Sequence, residues 1–313
     1  MTPPAAHAGA AADRAARATV CPVTGRVGLW TRTREARPRP RIERQPLPAD
    51  REGCPFCDPA DDDVRLLPVA ADRGAGRWFG LHNIYPPLDG PTGRADLAVA
   101  TAHSPTLAHL QPDLATVWAT MLDVQLELAA RFPTRWSLLT TAVGVSAGAS
   151  QHHPHGQVLT PATPPPVTIE QQRRWADRQT ATSVLAEPLV VASLSDVHLV
   201  APLVPLGPLD LWLVPAGPGG LDTLDPEQLG TLVTRWLVGV HRQLGRTPSR
   251  SAAAPVDIKT LLYPPLPDGT GRWWAELQVT ERHAPQVAAA PLVDVVDPPE
   301  RHAERFRSAG PSA

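Results

Sequence analysis

At 313 residues the chain is long enough for one large domain or two ordinary ones, and Lys plus Arg at 29 against Asp plus Glu at 31 exclude a global field that would demand DNA or an anionic membrane. Apolar residues at 42% and charged ones at 19% fit a globular, soluble chain, and 38 prolines imply many short elements broken by turns. Three cysteines, Cys21, Cys54 and Cys57, are too few for a disulfide framework; with no apolar run near the roughly 18 residues of a membrane helix and no signal-peptide core, a reducing, cytoplasmic location is expected.

Residues 1–18 and 297–313 are small, polar and charged without helical or strand periodicity, which predicts mobile ends. EGCPFCDP then sets Cys54 and Cys57 two residues apart, a spacing that lets two thiolates meet one tetrahedral cation. A thioredoxin-like redox pair is the rival, but Pro59 and the run Asp61–Asp63 do not continue the helix such a pair opens. In QPDLATVWATMLDVQLELAARF, Leu114, Val117, Trp118, Met121, Leu122, Gln125 and Leu128 follow i, i+3, i+4 spacing, with Pro112 in a start position, and predict a helix. DPEQLGTLVTRWLVGVHRQLG repeats the pattern through Leu229, Leu232, Val233, Trp236, Leu237, Val240 and Leu244, behind Pro226.

The two helices sit in matching contexts. DLAVATAHSPTLAHLQPDL aligns with DLWLVPAGPGGLDTLDPEQL, so that Asp96 meets Asp210, Leu107 meets Leu221, Leu110 meets Leu224 and Pro112 meets Pro226. This reads as an internal repeat of strand, turn and helix. His103 in the first copy faces Gly217 in the second, and the histidine-rich stretch after the first helix has no counterpart in VDIKTLLYPPL after the second. One half, residues 19–168, is expected to carry the chemistry, and the other, residues 169–296, to be mainly architectural.

That stretch is SQHHPHGQV, residues 150–158. In extended backbone residues i and i+2 share a face, so His153 and His155 point the same way across a stiffening Pro154. Both could bind metal. A division of labour is physically attractive: His153 joins Cys54, Cys57 and His103 around zinc, and His155 stays free. A neutral imidazole whose other nitrogen is fixed is a competent nucleophile towards phosphorus. Gly156 would let a ligand approach the backbone, and the Gln157 amide could donate to a phosphoryl oxygen. Ser150 and the glycine turn 144–148, ending at Gly148, offer small side chains and N–H groups suited to a diphosphate.

Together these motifs resemble the galactose-1-phosphate uridylyltransferases of the histidine-triad superfamily, over roughly residues 19 to 285. CPVTGRVGLWTRTREARPRP is similar to the family's opening strand, with Arg34 and Arg37 on its phosphate-contacting arginines. LHNIYP places Asn83 on the nucleotide-contacting asparagine, AHSPTLAHL places His103 on the third zinc ligand, and LLYPPLP resembles the family's Tyr-Pro-Pro segment at 263–265. HPHGQ supplies the fourth ligand His153, the nucleophile His155 and the phosphate-orienting Gln157.

The resemblance implies an α+β fold of two pseudo-repeated histidine-triad-like halves, each an antiparallel sheet with a packed helix. It implies a structural zinc, a homodimer, and ping-pong transfer of a nucleoside monophosphate, UMP first among the candidates, from a nucleotide sugar through His155 to a sugar 1-phosphate. A histidine-triad hydrolase or phosphorylase and a non-catalytic zinc-stabilised nucleotide-binding protein are the alternatives.

Departures from the pattern are local. Ala142 and Val143 replace an asparagine before the glycine turn, and His152 replaces a proline. Asp257, Lys259 and Leu261 stand where some members carry a second metal site, which is expected to be absent. Arg272 could replace a phosphate-binding lysine in TGRWWAELQVTERH, where the hexose-reading residues do not transfer. Trp273 and Trp274 read as core or dimer packing, and Glu170 as a helix-surface or site residue. The basic stretch RTREARPRPRIER reads as a strand edge rather than a nucleic-acid contact.

Overall fold

The structure is a computed structural model that describes residues 17–30, 54–57, 66–67, 78–83, 86–103, 107–108, 110–111, 113–132, 135–149, 151–245, 256–280, 292–294 and 297–309. In chain order the strands and helices are β1 (Arg17–Val20), β2 (Val27–Trp30), β3 (Leu66–Leu67), β4 (Trp78–His82), β5 (Gly93–Ala100), α1 (Leu114–Ala130), β6 (Leu138–Val143), β7 (His155–Pro161), α2 (Pro166–Ala176) and α3 (Arg178–Val184). After them come β8 (Val190–Leu194), β9 (Val197–Val200), β10 (Leu211–Pro215), α4 (Pro226–Gln243), β11 (Ile258–Tyr263), β12 (Trp274–Val279), β13 (Leu292–Asp294) and α5 (Pro299–Ala309). The fold is α+β.

Ten strands form one antiparallel sheet in the order β3-β4-β5-β7-β6-β11-β12-β10-β9-β8, while β1, β2 and β13 make a separate small sheet. The large sheet reads the same way from both edges: strand, strand, strand, then the two strands after the long helix with the earlier one innermost. Its halves meet where β6 pairs with β11, from Ile258 opposite Val143 to Leu262 opposite Leu139.

Strand alternation gives the sheet two different faces. One carries Leu139, Val158, Leu211, Leu213, Leu262, Ala275 and Leu277 into a core shared with α1 and α4. The apolar positions from Leu114 to Leu128 and from Leu229 to Val240 are buried against it, as their spacing predicts. Each large aliphatic side chain withdrawn in this way contributes about 1.5–3 kcal/mol. The helices approach closely at Gly230, where an added Cβ would lie 2.2 Å from the Ala115 carbonyl oxygen.

The opposite face carries no long helix. One end is covered by α2, α3 and the turn after β1, with Trp175, Trp212, Trp274, Cys21 and Val23 packed together. Trp274 stacks on Tyr263 with ring centroids 4.5 Å apart. Trp273 points into the helix-side core instead, so the adjacent tryptophans serve two separate clusters. Both are core residues.

The expectation of a mobile segment from 297 needs correction, because residues 299–309 form α5. His302, Ala303 and Phe306 are its buried stripe, and the Phe306 ring fits over Gly239, where a Cβ would come within 2.7 Å of it. Arg305 pairs with Asp297, and Arg307 donates to the carbonyls of Pro188 and Val190 beside edge strand β8. Burial pushes the His302 imidazole down to about 4, and its Nε2 lies 2.8 Å from the Asp210 carbonyl, to which it donates as a neutral ring. The stripe is three residues wide among six charges (Glu300, Arg301, Glu304, Arg305, Arg307 and Asp297), too narrow to register as periodicity. At the other end β1 begins at Arg17, inside the segment also expected to be mobile; residues 1–16 and 310–313 lie outside the described residues.

Phe306→Ala should lower the unfolding free energy by about 3 kcal/mol in urea denaturation, as expected when a docked aromatic is removed. A loss below about 0.5 kcal/mol, the range of ordinary surface substitutions, would mean that α5 is not part of the core.

Candidate active site and metal centre

Cys54 and Cys57 form a tight knuckle closed by the Cys57 N–H donating to the Cys54 carbonyl at 3.2 Å. His103 follows β5, and His153 precedes β7, the strand paired with it. The expected ligands come together: the Nδ1 atoms of His103 and His153 are 3.1 Å apart, His103 Nδ1 is 3.0 Å from Cys57 Sγ, and His153 Nδ1 is 3.6 Å from Cys54 Sγ and 3.5 Å from Cys57 Sγ. All four donor atoms lie within 4.8 Å of one another. A tetrahedral zinc with ordinary Zn–S and Zn–N bonds needs donor separations of roughly 3.3–3.8 Å; the two His153–cysteine separations fall in that range and the two shorter ones lie a few tenths of an ångström below it, so small adjustments of the side chains would admit such an ion. His153 Nε2 donates to the Ala100 carbonyl at 2.5 Å, which turns Nδ1 towards the thiolates. His152 stands outside the cluster, its ring 6.4 Å from that of His103.

His155 opens β7 and is 5% exposed. Its Nδ1 lies 2.8 Å from the His153 carbonyl oxygen, an atom that can only accept. Nδ1 therefore carries the proton and Nε2 the lone pair. Burial pushes the imidazole pKa below its ordinary value, opposed by that hydrogen bond, and the ring is neutral at neutral pH. Phe56 of the knuckle packs 5.1 Å from it. A small recess of about 20 Å³ lies beside it, between residues 142–144 and 151–154.

Gln157 points to the same face two residues on, opposite Thr140 of β6. Gly156 points the other way, and its role differs from the expected one. An added Cβ would come within 2.5 Å of Gln125 Nε2, so this glycine admits the helix rather than a ligand. Gln125, buried in α1, uses that space to donate to the Thr140 and Gln157 carbonyls and pins β6 to β7.

The glycine turn also departs from expectation. The four N–H groups from 146 to 149 are already committed: Ser146 to Asp257 Oδ2 at 3.0 Å, Ala147 and Ala149 to the Gly144 carbonyl at 3.2 Å each, Gly148 to the Val145 carbonyl at 2.9 Å. Gly144 and Gly148 are required by their φ values of 87° and 86°. The turn is thus a self-satisfied 3-10 corner braced by Asp257, not a row of open donors.

Asn83 follows β4, its N–H bonded to the Ala95 carbonyl at 3.1 Å; the register of Leu81 with Leu97 sets it on the His155 face. Arg272 is not brought to His155. It is 8% exposed, donates to the Pro215 carbonyl at 3.1 Å and lies over the Trp175 ring. Glu170 is a surface residue paired with Arg174 at 2.9 Å. Arg34, Arg37 and Ser150 lie outside the described residues, as does the basic stretch 32–44. The sequence reading missed a polar group on the helix-free face: Glu276 takes Arg26 at 3.3 Å and Gln278 at 2.5 Å. Alternation in WAELQV was the signal that could have found it.

No protein-family model matches the sequence, and no curated protein matches it. Solved structures do. An ADP-glucose phosphorylase from Arabidopsis thaliana with bound ADP-glucose superposes with a TM-score of 0.73 at 18% identity, over 95% of this chain and 100% of that one. A GALT-like protein from the same plant gives 0.68 at 18% identity, over 94% and 98%. A uridylyltransferase gives 0.61 at 17% identity, over 93% and 97%. The chain shares their fold.

Purified protein should carry about one zinc per chain by elemental analysis, and Cys57→Ser should lower both zinc content and melting temperature. Full zinc occupancy in that variant would refute the ligand set.

Proposed function

We propose that the protein is a nucleotidyltransferase that carries a nucleoside monophosphate on His155. One observation carries the reading: the His153 carbonyl holds the Nδ1 proton of a buried, neutral His155 and leaves its Nε2 lone pair free. In the first step Nε2 attacks the α-phosphorus of a nucleoside diphosphate sugar. The Nε2–P bond forms, the bond from that phosphorus to the bridging oxygen breaks, and the sugar 1-phosphate departs with the electron pair. The proton stays on Nδ1, where the carbonyl stabilises the developing positive ring. A phosphate oxygen of the acceptor then attacks the same phosphorus and expels the imidazole.

Gln157, on the same face, is the residue proposed to donate to the phosphoryl oxygens, with Asn83 towards the nucleotide. Arg34, Arg37 and Ser150 keep the phosphate roles that the resemblance implies. Cys54, Cys57, His103 and His153 are proposed to hold a structural zinc, since protein fills all four positions and leaves none for substrate. The second half is proposed to be a degenerate counterpart of the first, and a homodimer and a cytoplasmic location complete the reading. No helix among the described residues is long and apolar enough to cross a membrane.

A sugar 1-phosphate acceptor with a uridylyl donor is the reading favoured by the sequence motifs. The likeness to an ADP-glucose phosphorylase supports a second, in which the donor is adenylyl and the acceptor inorganic phosphate. Both pass through the same covalent histidine.

Intact-protein mass spectrometry after brief incubation with UDP-glucose and, separately, ADP-glucose should show an acid-labile nucleoside monophosphate adduct from at least one donor. His155→Ala should lack the adduct and lose at least about a thousand-fold in turnover. An adduct that survives in His155→Ala would refute the mechanism.

A further inference from the structure

We propose that Lys259 binds the phosphate on the far side of the reacting phosphorus, the one that leaves with the sugar in the first step and attacks in the second. The inference rests on His155 as nucleophile, and its support is the sheet register. Gln157 of β7 lies opposite Thr140 of β6, and Thr140 opposite Leu261 of β11. Two residues along, Lys259 lies opposite Ala142. His155, Ala142 and Lys259 therefore share the helix-free face, with His155 and Lys259 on the strands flanking Ala142. Two strand spacings separate their backbones by about 9.5 Å. Between them stands only the small Ala142 side chain, which lines the recess beside His155.

In-line displacement requires that geometry. The bond that breaks points directly away from the attacking nitrogen, so the departing phosphate lies beyond the phosphorus as seen from His155. Charge accumulates on its oxygens as the bond breaks. A cation reaching over Ala142 from the next strand meets it there.

Lys259 is half-buried and makes no hydrogen bond or ion pair among the described residues. The neighbouring carboxylate on its face, Glu276, is already held by Arg26 and Gln278. An ammonium group partly withdrawn from water with no counter-ion is a ready partner for an anion. Two alternatives from the sequence are otherwise engaged: the donors of the glycine turn bond within it or to Asp257, and the Arg272 guanidinium is held by Pro215 and Trp175.

The test uses Lys259→Met and Lys259→Arg in the full chain, with zinc content checking that each variant is folded. The adduct is formed and then discharged by glucose 1-phosphate, by inorganic phosphate or by water alone. In Lys259→Met the half-saturating concentration of whichever phosphate acceptor works should rise about tenfold or more, discharge by water should change less, and Lys259→Arg should recover part of the loss. Equal half-saturation in wild type and Lys259→Met overturns the proposal. If wild type forms no adduct with any donor, the nucleotidyltransferase reading fails, and calorimetric titration with inorganic pyrophosphate still decides on Lys259. Binding weakened about tenfold or more in Lys259→Met upholds its role as a phosphate ligand. Equal binding, or none in wild type, overturns it.

Discussion

The pairing of β6 with β11 is the constraint on which the other features depend. Five consecutive residue pairs, from Ile258 with Val143 to Leu262 with Leu139, turn two five-stranded sheets into one. On one side of this seam α1 and α4 are drawn so close that only glycine fits at position 230. On the other, a strand of the half without the histidine motif is laid two strands from His155. Asp257, at the entrance to β11, crosses the same seam to brace the turn between β6 and β7. The second half lacks the histidines, yet it holds in place the corner that aims them.

His153 links the Cys/His cluster to His155 through two different atoms. Its ring turns Nδ1 to the cysteine sulfurs while Nε2 donates to Ala100; its backbone oxygen accepts a hydrogen bond from His155 Nδ1. Fixing the ring fixes the residue, and fixing the residue fixes the carbonyl. The tautomer of His155 is thus set by the same residue that serves the cluster, with Pro154 limiting backbone freedom between them. Gln125 of α1 adds a second restraint from beneath the sheet, binding the carbonyl of Gln157.

The long helices and the gathering of Cys54, Cys57, His103 and His153 were legible in the sequence because their signals are strong and local. A helix burying Leu114 to Leu128 on one face has to show its period, and C-x-x-C with H-P-H leaves few ways to arrange four ligands. What escaped depends on distant packing. Gly156 looks like a residue that admits substrate, but Gln125, 31 positions earlier, occupies the space above it. The glycine turn looks like an open anion nest, but Asp257, more than a hundred positions away, consumes one donor and the turn's own carbonyls take others. Arg272 looks free in a polar stretch, whereas in the fold its guanidinium lies over Trp175. Helix α5 failed to show for the opposite reason: three buried side chains among charges carry too little period to be read.

Helix α5 also bears on how the protein is made. Its Phe306 fills the space over Gly239, and Arg307 holds the carbonyls beside β8, the strand at the sheet's outer margin. During synthesis this helix leaves the ribosome after every element it touches. Until then the α4 surface is uncovered and the margin of the sheet presents unpaired backbone to neighbouring nascent chains. Translation stalls or truncations that remove only the last dozen described residues would leave β7 intact in sequence and still expose the α4 surface and the β8 margin.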